Sequence, residues 1–313
     1  MSASYRGRFA PTPSGPLHRG SLVAALASCL EARAHGGVWL LRMEDADTPR
    51  NVPGAADAIL RVLEAHGFAW DEAVLWQSQR LDAYRAALEH LQKTGRLYPC
   101  ACSRKEIAAF HPRPSIDGGL VYPGACRAGL PPGRAPRAWR LRVENSEDGE
   151  GSAEVRFLDA IQGEIRQDLA RDVGDFVLLR ADGIFAYQLT VVVDDAWQGI
   201  THIVRGADLL ASTPRQICLQ GALGHATPAY AHLPLVTNRA GEKLSKQTRA
   251  APLEAARASA NLTTALAFLG QSPPADLARA SVREIWTWAR ENWNPDAIKL
   301  NQNENYGMIF KGS

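Results

Sequence analysis

The chain has no apolar run that approaches the roughly 20 residues of a membrane span. Its N-terminus lacks the charged-then-apolar pattern of a secretory leader. The expectation is a cytoplasmic protein with no membrane partner. A large net charge is missing too. Lys and Arg number 35 against 33 Asp and Glu, a formal charge of +2, so any nucleic acid must meet a local basic surface and not a global field. Cysteine is scarce: five residues, an odd number, two of which (Cys100 and Cys102) stand one residue apart. That argues against a disulfide framework and suits free thiols or a metal. No internal repeat or coiled-coil heptad is present. What remains, 46% hydrophobic and 22% charged over 313 residues, is a globular chain with enough core for one large domain or two modest ones.

Hydrophobic periodicity divides the chain. Leu22–Arg33, Pro53–His66 and Arg80–Thr94 read as helices stopped by glycines, and Val38–Met43 as a buried parallel strand. Helices alternating with strands imply a parallel sheet whose ligands sit at the carboxyl ends of the strands. The rhythm breaks over residues 96–175, where the paired cysteines, a Pro/Gly-rich stretch and short strand-like runs (Ala138–Val143, Glu154–Leu158, Gly163–Arg166) suggest an insertion. Phe176–Arg180, Ile184–Val193 and Ile203–Val204 read as strands again, and Leu209–Leu223 as a helix. Two further helical patterns follow, Leu253–Leu269 and Val282–Asn292. The expected divisions are 1–95 and 176–250 as halves of a nucleotide-binding domain, 96–175 inserted, 251–300 helical and 301–313 a frayed tail.

Two segments carry the strongest chemical signal. Arg8-Phe9-Ala10-Pro11-Thr12-Pro13-Ser14-Gly15-Pro16-Leu17-His18-Arg19-Gly20-Ser21 is a Pro/Gly loop feeding a helix N-terminus, where unpaired N–H groups and the dipole favour an anion. Lys243-Leu244-Ser245-Lys246-Gln247 places two lysines on a short loop suited to polyphosphate. Alone, the first is more often only a turn and the second only a solvated surface. Together and in this order they resemble the signature loops of class I aminoacyl-tRNA synthetases. Arg42 to Arg50, Phe185 to Leu189, Val191 to Asp195, Gly199 to His202 and Ile203 to Asp208 narrow the resemblance to the glutamyl/glutaminyl branch, over roughly residues 5–250. Only about 65 residues follow Lys246, fewer than that branch's helical anticodon-binding region needs. The short chain is similar to a truncated, zinc-containing subgroup that transfers glutamate to queuosine in the anticodon of tRNA(Asp).

The resemblance implies an α/β fold with a Rossmann-like parallel sheet, an inserted zinc-containing α+β region and a short C-terminal helical segment. It implies L-glutamate, ATP (with Mg2+) and tRNA(Asp) bearing queuosine as partners, and a monomer. His18, Gly20, Ser21 and Lys246 would hold ATP, with His18, Lys243 and Lys246 meeting transition-state charge on the phosphates. Arg8, Ala10, Thr12, Glu44, Tyr187 and Arg205 would form the glutamate site, Glu44 accepting the ammonium and the arginines gripping carboxylates. Sequence does not assign the side-chain carboxylate to one arginine; Arg8 is preferred. Asp194 and Asp195, at the end of a Val-rich strand, read equally well as helix caps and stay outside the site. A short glutamyl-tRNA synthetase charging the 3′ end of tRNA(Glu) is the alternative. A catalytically idle zinc-binding RNA module fits less well, because His18, Glu44, Arg205 and Lys246 are all present.

Cys100-Ala101-Cys102 and, beyond a nineteen-residue interval, Tyr122-Pro123-Gly124-Ala125-Cys126 supply three thiols for a tetrahedral zinc. General chemistry makes His111 the default fourth ligand; the resemblance implies Tyr122. Such a zinc would be structural and remote from adenylation. Cys29 and Cys218, on apolar helical faces, read as buried thiols.

Overall fold

The computed structural model describes residues 4–116, 118–143, 153–237 and 251–299. In chain order the elements are β1 (Arg6–Phe9), α1 (Arg19–Ala34), β2 (Val38–Met43), α2 (Ala55–Ala65), β3 (Leu75–Trp76), α3 (Leu81–Lys93), β4 (Leu97–Cys100), α4 (Arg104–Phe110) and β5 (Ala138–Leu141). They continue with β6 (Glu154–Asp159), β7 (Gly163–Asp168), α5 (Leu169–Asp172), β8 (Phe176–Leu179), α6 (Tyr187–Trp197), β9 (His202–Gly206), α7 (Thr213–Leu223), β10 (Ala229–Leu233), α8 (Ala258–Phe268) and α9 (Val282–Asn292). No helix among the described residues is long and apolar enough to cross a membrane.

Strands β1, β2 and β3 form a parallel sheet in which Arg8 pairs with Leu40 and Phe9 with Leu41. A second sheet, ordered β7-β6-β10-β9, is parallel through β6-β10-β9, and the β6–β7 hairpin closes one side. The two meet where Thr201 N–H donates to Arg6 O (3.0 Å) and Arg6 N–H donates to Thr201 Oγ1 (2.9 Å). The carboxyl ends of β1, β2 and β9 are thereby brought side by side. A third sheet, β4-β5-β8, is antiparallel; β4 and β5 lie in the stretch that breaks the βα rhythm and β8 directly follows it.

Helix α1 is apolar almost all round because it is enclosed: the sheet covers one side and α8 and α9 the other, with Leu22, Leu26 and Leu30 packing in the same cluster as Leu262, Leu266, Ile285 and Trp286. Trp286 Nε1 also donates to His66 O (2.8 Å) and Trp293 Nε1 to Glu31 (2.7 Å), tying the C-terminal helices to the first βα units.

One element differs from its pattern. Residues expected as a strand over Ile184–Val193 form helix α6 from Tyr187. Val191, Val192 and Val193 mimic a strand run, but every residue from Gln188 to Asp195 is buried, so no amphipathic stripe marks the helix. The helical pitch matters for the site. It turns Asp194 toward α3 and Asp195 toward β1 and β2, so neither aspartate ends a strand.

Candidate active site

A cavity of about 650 Å³ opens at the carboxyl ends of β1, β2 and β9, and Arg8, Ala10, Thr12, His18, Gly20, Ser21, Glu44, Tyr187 and Arg205 all line it. The loop after β1 is held open on both sides by backbone bonds, Glu44 N–H to Pro11 O (3.0 Å) and Leu253 N–H to Leu17 O (2.9 Å). His18 is the N-cap of α1. Its Nδ1 accepts from Ser21 N–H (3.3 Å), and its own N–H donates to Ser21 Oγ at 3.5 Å. A neutral ring that accepts at Nδ1 carries its proton on Nε2, so the cap fixes the tautomer. Lys243 and Lys246 lie outside the described residues. The chain before that segment lines the cavity at Val236, and the chain after it bridges back to His18 at Pro252.

Arg8, Arg42, Glu44 and Asp195 form one buried chain of charge. Asp195 accepts from Arg8 Nε and Nη2 (3.1 and 3.4 Å) and from Arg42 Nη1 (2.8 Å). Arg42 also donates to Gln198 Oε1 (2.8 Å) and reaches Glu44 at 3.4 Å. Burial raises the Asp195 carboxyl, yet the two guanidinium groups outweigh it and hold it below the ordinary range. At Glu44 burial wins and pushes the carboxyl up, against the pull of Arg42 and Arg8. A cation arriving beside Glu44 would favour its ionised form. Sequence reasoning left Asp195 and Arg42 out of the site. Arg42 opens the motif that contains Glu44, but its partner lies 153 positions away, and only the packing of α6 on the sheet joins them.

Arg205 is 5% exposed and differently placed. Its donors go to His232 Nε2 (3.1 Å), Tyr187 Oη (3.4 Å), Thr213 Oγ1 (2.8 Å) and Gln216 Oε1 (2.7 Å). Among the described residues it makes no carboxylate contact. His232 in turn hydrogen-bonds through Nδ1 to Asp159 Oδ2 (2.6 Å), so that carboxylate stands one ring behind Arg205. Burial, with Arg205 adding to it, lowers His232 to about 4 despite Asp159, so the ring is neutral and accepts from Arg205. Thr213, Gln216 and His232 carried no sequence signal, because they come from α7 and β10 rather than from a motif. Asp194, fully buried, accepts from Gln77 Nε2 (2.9 Å), Arg80 Nε (2.6 Å) and Tyr84 Oη (2.7 Å) and locks α6 to α3.

The cysteines gather elsewhere. Sγ of Cys100, Cys102 and Cys126 lie within 4.8 Å of one another. Cys102 and Cys126 are 3.6 Å apart, and Tyr122 Oη is 3.3 Å from Cys100 and 3.6 Å from Cys102. Tetrahedral zinc with bonds of about 2.3 Å sets its sulfurs about 3.8 Å apart, so the donor set fits that ion. His111 caps the end of α4 and is not a member of the group. Tyr122 is held by Gly174, whose φ of +71° and lack of a Cβ allow backbone contact; a Cβ there would stand 2.2 Å from Tyr122 O. Beside it the buried Asp175 accepts from Arg127 (2.6 and 2.8 Å), Tyr98 and Val143 N–H (2.9 Å), pinning the cysteine loop to β4, β5 and β8. Cys29 is buried and Cys218 half-buried, both unpaired as disulfides.

A parallel sheet with a capped helix N-terminus, a carboxylate between strand ends and a buried guanidinium facing them defines a class I aminoacyl-tRNA synthetase catalytic domain. The family model for class I tRNA synthetases of the E and Q type, catalytic domain, matches residues 4–267. A glutamyl-Q tRNA(Asp) synthetase of Dechloromonas aromatica is 62% identical over 95% of this chain and 97% of its own length; one of Pseudomonas aeruginosa is 55% identical over 95% and 96%. The chain belongs to the glutamyl-Q tRNA(Asp) synthetase family. The solved glutamate-tRNA synthetase of Elizabethkingia anophelis superposes with a TM-score of 0.76 at 26% identity, covering 95% of this chain and 67% of that larger one.

Proposed function

We propose that this pocket joins L-glutamate to ATP and passes the glutamyl group to queuosine in the anticodon of tRNA(Asp). The observation that carries the amino-acid assignment is Arg205, a buried guanidinium aimed into the cavity with four neutral partners and no described carboxylate against it. A buried cation in that state is completed by an anionic ligand. Arg8, whose Nε edge is spent on Asp195, supplies the second cationic contact across the cavity, toward the side-chain carboxylate. Glu44 takes the ammonium, Tyr187 adds its hydroxyl, and Ala10 and Thr12 line the same wall.

ATP lies along the other wall, its phosphates at the N-terminus of α1 near His18, Gly20 and Ser21, with the macrodipole and N–H groups favouring the anion. The glutamate α-carboxylate attacks the α-phosphorus; the new P–O bond forms as the bond to the β-phosphate oxygen breaks, and pyrophosphate departs. Lys243 and Lys246, with Mg2+, are assigned to the charge on the leaving group. A hydroxyl of the queuosine diol then attacks the activated carbonyl. An ester C–O bond forms, the acyl–phosphate bond breaks, and AMP leaves as the hydroxyl gives up its proton. The curated relatives carry this acceptor in their names, which favours it over the 3′ end of tRNA(Glu). Cys100, Cys102, Cys126 and Tyr122 would hold one zinc, which supplies a cross-link within the inserted region. The enzyme is taken to act as a cytoplasmic monomer.

ATP–pyrophosphate exchange without tRNA tests the first half. Exchange should depend on glutamate and fall sharply with glutamine, which offers a neutral amide to a buried arginine, and with aspartate, which is one methylene too short to span both arginines. Exchange that prefers glutamine, or that runs without amino acid, contradicts the assignment.

A further inference from the structure

The cavity against Arg8 and Arg205 has a neighbour. A second hollow of about 460 Å³ shares Thr12, Glu44, Arg50 and Tyr187 with it and continues past them to Asp47, Arg180 and Phe185. Three substrates must meet in this enzyme. Glutamate lies between the arginines, and ATP occupies the α1 side. The second hollow reaches the glutamate site across Glu44 and Tyr187, from the direction that neither of the other substrates fills.

The walls of this hollow combine an aromatic ring, an acid and guanidinium groups. Asp47 is anchored by Arg50 Nε (2.7 Å) and Arg180 Nη1 (3.4 Å), and both bonds end on Oδ2. Oδ1 accepts no hydrogen bond among the described residues. Arg180 is itself set by Asp182 (2.6 Å). Phe185 closes the other side, its ring packed edge-to-face on Tyr84 at 5.4 Å. The result is a fixed carboxylate with one oxygen unspent, beside an apolar ring and two exposed cations.

Queuosine is a 7-deazaguanosine whose cyclopentene diol hangs from an aminomethyl arm, and the secondary amine in that arm is protonated at neutral pH. Building on the function proposed above, we infer that this hollow is the acceptor-nucleoside subsite and that Asp47 Oδ1 receives the ammonium of the queuosine arm. Phe185 lies against the base or cyclopentene, and Arg180 faces the anticodon backbone. The contact delivers the diol toward the acyl group over Glu44 and Tyr187. It also gives the enzyme a charge that an unmodified guanosine cannot answer.

The test separates activation from transfer. Purified wild type, Asp47→Asn and Phe185→Ala are compared in glutamate-dependent pyrophosphate exchange and in transfer of labelled glutamate to tRNA(Asp) carrying queuosine. Asp47→Asn keeps the shape and removes the charge. Its exchange should stay within about twofold of wild type, while kcat/KM for the tRNA should fall about tenfold or more, as loss of a charge-assisted hydrogen bond predicts. Phe185→Ala should also lower transfer selectively. Transfer by Asp47→Asn within twofold of wild type overturns the subsite, as does a parallel loss of exchange and transfer. Failure of the wild type itself to load this tRNA would instead overturn the function on which the subsite rests.

Discussion

The cavity at the strand ends, proposed to hold glutamate, and the cysteine cluster are built on opposite plans. The pocket draws Arg8 from β1, Arg42 and Glu44 from the end of β2, Tyr187 and Asp195 from α6, and Arg205 from β9, with partners up to 187 positions apart. The cluster takes its donors from Cys100 to Cys126, one turn and one returning loop. In the pocket, side chains are oriented by other side chains: Asp195 sets two arginines, and His232 sets a third. In the cluster, Tyr122 is placed by backbone contact with Gly174, and the bonds to the Asp175 carboxylate pin the loop locally. A site of the first kind stands or falls with the whole sheet. One of the second kind is a local fastening whose loss the remote chemistry can survive.

The largest difference should appear at Arg205. Arg205→Ala removes a buried guanidinium that lines the cavity and whose described partners are all neutral, and glutamate-dependent exchange should fall a hundredfold or more, given about 2–5 kcal/mol for a buried charged contact. Cys100→Ser, by contrast, should keep exchange measurable at a substantial fraction of wild type while zinc content, read by metal analysis, drops. Equal losses in the two variants would erase the distinction.

Asp195 sharpens the same point. Asp195→Asn leaves Arg8 and Arg42 buried with weakened partners, a change that costs about 3–5 kcal/mol when a buried pair is broken. Denaturant unfolding should show that loss, together with a raised KM for glutamate and little change in KM for ATP. A variant as stable as wild type would show that the chain of charge is not holding the pocket.

Acid should find the pocket first. His232 is neutral when folded, with its pKa lowered to about 4, whereas an unfolded histidine titrates near 6.5. The unfolded chain therefore binds the extra proton, and stability present above about pH 6.5 is lost as the pH falls toward 4, by roughly 3 kcal/mol in all. Asp159, its partner, is held below 3.8 and acts only beneath that window. Replacing His232 with Gln should flatten the stability curve between pH 6.5 and 4.

The smallest effect separates two candidates for one ligand position. Tyr122→Phe should weaken zinc retention more than His111→Ala, because Tyr122 Oη stands among the sulfurs and His111 does not. The reverse order would move the fourth ligand to His111.

How much of this the sequence disclosed follows the same division. Strand β2 and helix α9 coincide with their periodic runs, and the three thiols of the cysteine motif gather as their short spacing suggests, while the fourth position was left open between His111 and Tyr122. Arg8, His18, Glu44, Tyr187 and Arg205 were visible as members of motifs, and they line one cavity. Their partners were not. Helix α6 hides behind a valine run because it is buried on every side, and with it went the distinct directions of Asp194 and Asp195. His232, Thr213 and Gln216 have no local pattern; they matter only because β10 and α7 pack beside β9.

The acceptor decides the function: glutamate is proposed to go to queuosine in tRNA(Asp). Labelled glutamate, ATP and purified enzyme should be supplied with tRNA(Asp) prepared with queuosine or with unmodified guanosine, after enzymatic removal of the 3′-terminal adenosine from both. Label is expected on the queuosine-bearing tRNA(Asp) and none on its unmodified counterpart. Label that requires the 3′-terminal adenosine, or that appears on unmodified tRNA(Glu), would contradict it.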